Sequence, residues 1–376
     1  MSLDARKRMS IPLDVIFPKR RVALTPHISR CLKRRPLSVI DVGGAMGPDA
    51  RWRPLSAEYM HFMTFEPDAR STEQLGRTSN ANDLIMQVAL AGSPGERTLF
   101  LTEGPFASSM YQTNDALLQD FAVWPWYTPA GEATILVDTL DACLARQPNF
   151  RADFVKIDVE GADLEVLKGG RRAIETAFGV QIEVPFSVRN LGAPLQPTID
   201  LWLREAGFSL HLMEREHWLR ANGVHGALSQ PQLIWADAVY FRGREWVLHN
   251  LAAAGSAAQA EERLAAILAI LLIYNAHDYA AEIVAAAKDH GAVNPSSAAD
   301  FASSVEASLT SLPLFAARGA CALIIATIAA VPLALLGSRG RRLAGQVIAA
   351  QAAPLFGSLA RAARRGGVNG GCLPDV

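Results

Sequence analysis

Between Leu37 and Gly243 the chain alternates short β-branched or apolar runs with helix-capable stretches, and this alternation constrains the fold more than any other feature. Neighbouring parallel strands need a crossover of about a dozen residues or more, usually a helix, so the pattern predicts a doubly wound, mostly parallel α/β sheet. The expected strands are Ser38–Val42, Phe62–Glu66, Leu84–Leu90, Asp153–Asp158, Val180–Val184, Phe208–Glu214 and Ala238–Arg242. A polar loop without helical periodicity joins the last two, which predicts an antiparallel pair at the end of a seven-stranded sheet. Helices are expected over Thr139–Arg146, over Ala162–Lys168 with Gly169 and Gly170 as left-handed caps, and over Pro197–Ala206 with proline in the first turn.

The 376 residues exceed what one such sheet requires. The organisation expected is a basic lead-in over 1–36, the α/β domain over 37–247, an alanine-rich helical extension over 248–315 and a tail over 316–376. The tail holds 20 uncharged residues between Arg318 and Arg339, close to the length needed to span a bilayer. It also carries seven arginines and a single acid, Asp375. Two readings stand for residues 320–336: a segment that spans, or anchors at the inner face of, a membrane, or a buried helix or oligomer interface. A net charge of −1 gives no bulk attraction to phosphate, so nucleic acid is not expected as a partner. Cys31, Cys143, Cys321 and Cys372 are widely separated, without the spacing of a zinc motif or a disulfide framework. The first residues lack the apolar run of a signal peptide, and a cytoplasmic chain is expected.

Chemistry concentrates at strand ends. Asp41-Val42-Gly43-Gly44-Ala45-Met46-Gly47 follows the first strand, where glycines permit positive φ and close approach to a ligand. It lacks the GxGxxG spacing that cradles a pyrophosphate. An acid at the strand end suits instead S-adenosylmethionine, which has a cationic sulfonium and an amino-acid head but no phosphate. Glu66, 25 residues after Asp41, ends the second strand and is placed to accept hydrogen bonds from both ribose hydroxyls. Val88 and Ala89, before a Gly-Ser-Pro-Gly turn, are placed to present backbone groups to the adenine.

Lys156-Ile157-Asp158-Val159-Glu160-Gly161 is the most specific string. Strand alternation puts Lys156 and Asp158 on one face, with Asp158 and Glu160 at the carboxyl edge where open α/β sheets bind ligands. Methyl transfer to an alcohol requires in-line alignment and removal of the hydroxyl proton. Asp158 or Glu160 is the group expected to receive that proton, Lys156 tunes them, and Glu183 adds a carboxylate from the next strand. Such acids also suit a divalent cation like Mg²⁺, although no metal site is assigned. The competing structural reading is a Lys156–Asp158 ion pair with Glu160 capping the helix that follows.

With DVGGAMG, FEPD, the turn at Val88–Gly95, VDTLDACL at Val137–Leu144, KIDVEGADLEVLKGG at Lys156–Gly170 and IEV at Ile182–Val184, the sequence resembles the FkbM family of methyltransferases. The resemblance implies a Rossmann-like class I fold, S-adenosylmethionine as donor, and O-methylation of a hydroxyl on a sugar, glycan or polyketide-type product. One departure stands out: members commonly read D-[VI]-G-A-N-x-G, whereas Gly44 and Ala45 replace the Ala-Asn pair, so any contact made by that asparagine is absent. The segment Gly104–Gly131, with Trp124-Pro125-Trp126-Tyr127, reads as an insertion that either stacks on a sugar or packs onto the domain. Phe186–Arg189 borders the expected acceptor pocket. N-methylation is the second enzymatic reading, without an NPPY-like clamp to favour it. A non-catalytic scaffold of the same fold is the third.

Overall fold

A computed structural model describes residues 22–310 except 23, 46, 53–54, 69–71, 74, 77–81 and 223–229. Residues 1–21 and the whole 316–376 tail, with its 320–336 run, lie outside the described residues. Among those described, no helix is long and apolar enough to cross a membrane.

The main sheet comprises β1 (Leu37–Val42), β2 (Met60–Phe65), β3 (Leu84–Met86), β7 (Phe154–Ile157), β8 (Gly179–Pro185), β9 (Phe208–Trp218) and β10 (Gln232–Arg242). Their order is β3-β2-β1-β7-β8-β10-β9, with β10 antiparallel to both its neighbours and the other pairs parallel. This is the seven-stranded, mostly parallel Rossmann-like sheet that the strand pattern predicts, with the antiparallel pair at its end. β1 and β8 are buried throughout, as strands covered on both faces must be.

The sequence pattern misses a second sheet, in which β4 (Ala89–Leu90), β5 (Gly95–Thr102) and β6 (Pro129–Asp138) lie in the order β4-β6-β5. The single run expected over 84–90 is therefore two strands in two sheets. β5 and β6 each bury a single residue, Thr102 and Val137, so they carry little of the buried pattern that marks a core strand.

The helices Leu140–Ala145, Asp163–Gly169 and Gln196–Glu205 form close to where they are expected. Gly169 and Gly170 are not left-handed, however; Gly170 has φ −113°. Their role is steric, since a Cβ on Gly169 would lie 2.2 Å from the Ala91 carbonyl oxygen and one on Gly170 2.7 Å from a Leu140 methyl.

Those helices cover one face of the sheet, against Ile40, Met63, Phe65, Val155, Ile157 and Val180. The opposite face is roofed from both ends of the described chain. Helix Pro26–Arg34 and the helices Arg244–Ala252, Ala257–Ile273, His277–Asp289 and Pro295–Thr310 pack there on Val39, Phe62, Phe154, Phe178 and Phe241. Trp52 sits edge-on to Phe62, Phe154 and Tyr274, sealing the segment between β1 and β2. The helical extension thus supplies a layer of the sandwich, and its longest helix is buried nearly all round over Leu264–Ile273.

On this roofed face the apolar pattern stops towards the carboxyl edge. Register places Thr64, Asp41, Lys156 and Gln181 side by side, and Glu183, Asp237 and Glu214 side by side further along. Polar residues at positions whose neighbours are core mark where stability has been given up for function.

Candidate active site

The chain reverses its winding direction between β1 and β7, the switch point at which open α/β sheets form their ligand crevice. Both predicted motifs end there. The Val42 carbonyl accepts from Asp158 N at 3.0 Å, and Gly43 N donates to the Phe65 carbonyl at 3.0 Å, so the glycine loop is clasped between the ends of β2 and β7. Gly43 has φ +81°, and a Cβ there would lie 1.9 Å from the Asp158 carbonyl oxygen. Gly44 is equally constrained, because its Cβ would lie 2.3 Å from the Thr64 γ-methyl. Gly47 also takes a positive φ, +75°. The departure from the common family loop is thereby matched by Thr64 beneath it.

Under the loop, Asp41 is 1 % exposed, and its Oδ2 has no hydrogen-bond partner among the described residues. Burial raises the Asp41 carboxyl above its ordinary range, with Lys156 opposing. Lys156 Nζ lies 3.3 Å from Asp41 Oδ1 and 3.4 Å from Asp158 Oδ2. Burial works against the ammonium, but these acids outweigh it and hold its pKa above normal. Lys156 therefore bridges the two motifs electrostatically.

Beyond Asp158 the backbone turns sharply. Glu160 adopts φ +56°, a costly conformation for a non-glycine residue that persists only where its surroundings impose it. Ser109 Oγ donates to the Glu160 carbonyl at 2.6 Å, tying this turn to the inserted segment. Glu160 does not cap the following helix. Asp163, the first residue of that helix, instead braces the turn before it, accepting from Val159 N at 3.2 Å and Gly161 N at 2.9 Å.

Arg189, 2 % exposed, holds the acids together. Its guanidinium donates to both carboxylate oxygens of Glu183 and lies 3.0 Å from Glu160 Oε2. Burial raises Glu160 well above the normal carboxylate range and raises Glu183 as well, with Arg189 opposing in both. Burial opposes the Arg189 charge, and Glu183 and Glu160 restore it. Two further acids are shifted by burial and then by their anionic neighbours, Asp163 to about 7 and Asp237 to about 8. Carboxylate oxygens of Asp158, Glu160 and Glu183 lie within 4.8 Å of one another, a spacing that suits a divalent cation. The Arg189 guanidinium already sits against two of them.

Glu66 is 7 % exposed at the end of β2 and accepts from Asp68 N at 2.9 Å. Its N–H donates to the Met86 carbonyl, as does that of Val88, bringing the Met86–Ala89 turn alongside it. Val88 and Ala89 are half-buried, and Ala89 pairs with Val137. All the residues expected at the site thus lie at the carboxyl ends of β1, β2, β3, β7 and β8. Arg189, expected at the border of the acceptor pocket, proves to be the partner of the acids, and the structure adds Asp163, from the KIDVEGAD stretch, and Asp237, which belongs to no motif. Only the break in apolar alternation at Asp237 could have flagged that position from sequence.

The insertion is packed, not open. Phe121 meets Trp218 edge-on, Tyr127 packs tilted against the same ring, and Trp126 meets Phe106. Its inner edge reaches the site. The Arg189 guanidinium stands 5.9 Å from the Tyr127 ring centroid, and Asn190 Nδ2 donates to the Tyr111 carbonyl at 3.2 Å.

Residues 50–210 match the methyltransferase FkbM domain, the family that the motifs resemble. This domain match supports an S-adenosylmethionine-dependent methyltransferase. The match includes the KIDVEG string and begins just after the glycine loop. None of the curated proteins matches the chain. Among solved structures, it is similar to the precorrin-6y C5,15-methyltransferase of Geobacter metallireducens at 10% identity, covering 57% of this chain and 87% of that one, with a TM-score of 0.27. It is likewise similar to the Burkholderia thailandensis 1,6-didemethyltoxoflavin-N1-methyltransferase with bound S-adenosylhomocysteine, at 14% identity over 64% of this chain and 86% of that one, with a TM-score of 0.23.

The residues present fit the cofactor. Buried Oδ2 of Asp41 is an unused acceptor beneath the loop, and Glu66 retains acceptor capacity at the edge.

Proposed function

We propose that this enzyme methylates a hydroxyl group of a sugar, glycan or related natural product, and that Asp158 receives the hydroxyl proton. One observation carries the reading. Within the acid cluster the Asp158 side chain is 38% exposed, against 15% for Glu160 and 3% for Glu183, so it is the carboxylate an acceptor can reach. When bound, S-adenosylmethionine supplies a methyl group on a positively charged sulfur. In this reading Glu66 holds the ribose, Asp41 and the glycine loop hold the amino-acid end, and Val88 and Ala89 border the adenine.

The chain's own residues then act on the acceptor. Asp158 accepts the hydroxyl proton as the oxygen–carbon bond forms, and Lys156 keeps that carboxylate oriented from 3.4 Å. Glu160, Glu183 and Arg189 form the rigid wall behind it. The near-zero net charge supports a small or neutral acceptor over a polyanion.

The test is transfer of labelled methyl from S-adenosylmethionine to a panel of nucleotide sugars, oligosaccharides and tRNA by the full chain. Label in the carbohydrate fraction is expected, with kcat in Asp158→Asn lower by about 10²–10⁴-fold and cofactor affinity retained. Labelling of tRNA alone, or full turnover by Asp158→Asn, would overturn the proposal.

A further inference from the structure

A second group of potential ligands lies in the helical roof. His27 and Cys31 are four residues apart on helix Pro26–Arg34 and so share a face, and Glu261 meets them from helix Ala257–Ile273. His27 Nε2 lies 3.9 Å from Cys31 Sγ and 3.5 Å from Glu261 Oε2, and the three ligand atoms are all within 4.8 Å of one another. Tetrahedral zinc, with bonds of about 2.0–2.3 Å, sets its ligands about 3.3–3.6 Å apart, a small contraction from what is seen.

The neighbours of these groups orient them for the same purpose. Asp300 Oδ2 lies 3.8 Å from His27 Nδ1, the ring nitrogen away from the cluster, as in the carboxylate–histidine pairs that fix the tautomer of a metal ligand. Glu261 Oε1 accepts from Asn294 Nδ2 at 3.2 Å and from Ser297 Oγ, which leaves Oε2 turned to the cluster. Cys31 is fully buried, whereas the His27 and Glu261 side chains are 15% and 13% exposed, so solvent can reach a fourth position. Nitrogen, sulfur and oxygen donors together suit a borderline-soft ion.

We propose that His27, Cys31 and Glu261 bind one Zn²⁺, with water as fourth ligand and Asp300 as a positioning residue, stapling the first described helix to the C-terminal helices that roof the sheet. Cys31 binds as thiolate and gives up one proton to solvent. Because the ligands come from distant parts of the chain, their spacing in sequence does not reveal them.

The test uses the full chain, reduced and stripped with a chelator, titrated with Zn²⁺ by calorimetry and with Co²⁺ by absorption spectroscopy. One site is expected, with about one proton released per zinc and a thiolate-to-cobalt charge-transfer band. His27→Gln and Glu261→Gln should each weaken zinc binding at least ~10-fold, and Asp300→Asn about tenfold. Cys31→Ser should abolish the band, and the half-buried His27→Gln gives an independent reading should Cys31→Ser misfold. Absence of zinc binding by folded wild-type chain, or unchanged binding in both His27→Gln and Glu261→Gln, would overturn the proposal.

Discussion

Arg189 is the residue whose removal should be felt most sharply. It is the shared partner of Glu183 and Glu160, whose side chains are 3% and 15% exposed. At an effective dielectric near 20, a pair about 3 Å apart interacts by roughly 5 kcal/mol, most of it offset by the cost of desolvating the charges. Breaking a buried pair from one side leaves the acids uncompensated, and Arg189→Met should cost about 3–5 kcal/mol at pH 8. The loss should shrink on acidification. Both carboxyls are raised in the folded state even with Arg189 present, so the folded protein binds more protons than the unfolded chain. Stability from such groups is fully present below the unfolded pKa and falls as pH rises through the folded one. For each extra proton the folded variant retains, stability changes by about 1.4 kcal/mol per pH unit, or roughly 2.7 kcal/mol between pH 6 and 8. Urea unfolding followed by tryptophan fluorescence at both pH values measures this. Glu183→Gln in the Arg189→Met background should recover part of the loss at pH 8. A loss below about 1 kcal/mol at pH 8, or one independent of pH, would refute the reasoning.

Three further outcomes follow from the same geometry. Gly44→Ala should cost about 1–3 kcal/mol in urea unfolding, because its Cβ would lie 2.3 Å from the Thr64 γ-methyl, and Thr64→Ser should restore part of it; no rescue would count against the loop–Thr64 contact. Asp237, raised by burial to about 8, contributes stability that is present below about pH 4 and lost as pH rises towards 8. Asp237→Asn should therefore flatten the fall in stability over that window, and an unchanged pH profile would show that Asp237 is not its source. Trp52→Ala, which opens the contact with Phe62, Phe154 and Tyr274, should lower stability by about 3–5 kcal/mol in thermal unfolding, whereas a loss under about 1 kcal/mol would mean that Trp52 does not seal the roof.

The main sheet was legible because strands such as Ser38–Val42 and Val180–Val184 are short and rich in β-branched residues and alternate with helix-capable stretches, and the glycine loop and KIDVEG because they fall at strand ends. β5 and β6 escaped because each buries only one residue, Thr102 and Val137, and so lacks the imprint of a core strand. Composition separates 248–310 from the α/β text, yet these helices and the sheet share one core: alanine-rich periodicity shows that a helix has an apolar face but not what that face meets. The roles of Arg189 and Asp163 lay beyond reach for a related reason. Nothing in PFSVRN indicates that Arg189 folds back between Glu183 and Glu160, and nothing in KIDVEGAD indicates that Glu160 takes a positive φ while Asp163 braces the turn through Val159 N and Gly161 N.

Calorimetric titration of the full chain with S-adenosylmethionine tests the central claim most directly. One site per chain is expected, weakened about 10–100-fold in Glu66→Ala, which removes a charged acceptor from the ribose, and unchanged in Asp158→Asn, which faces the acceptor. A folded chain that does not bind S-adenosylmethionine, or one whose affinity is indifferent to Glu66 and lost with Asp158, would contradict the account.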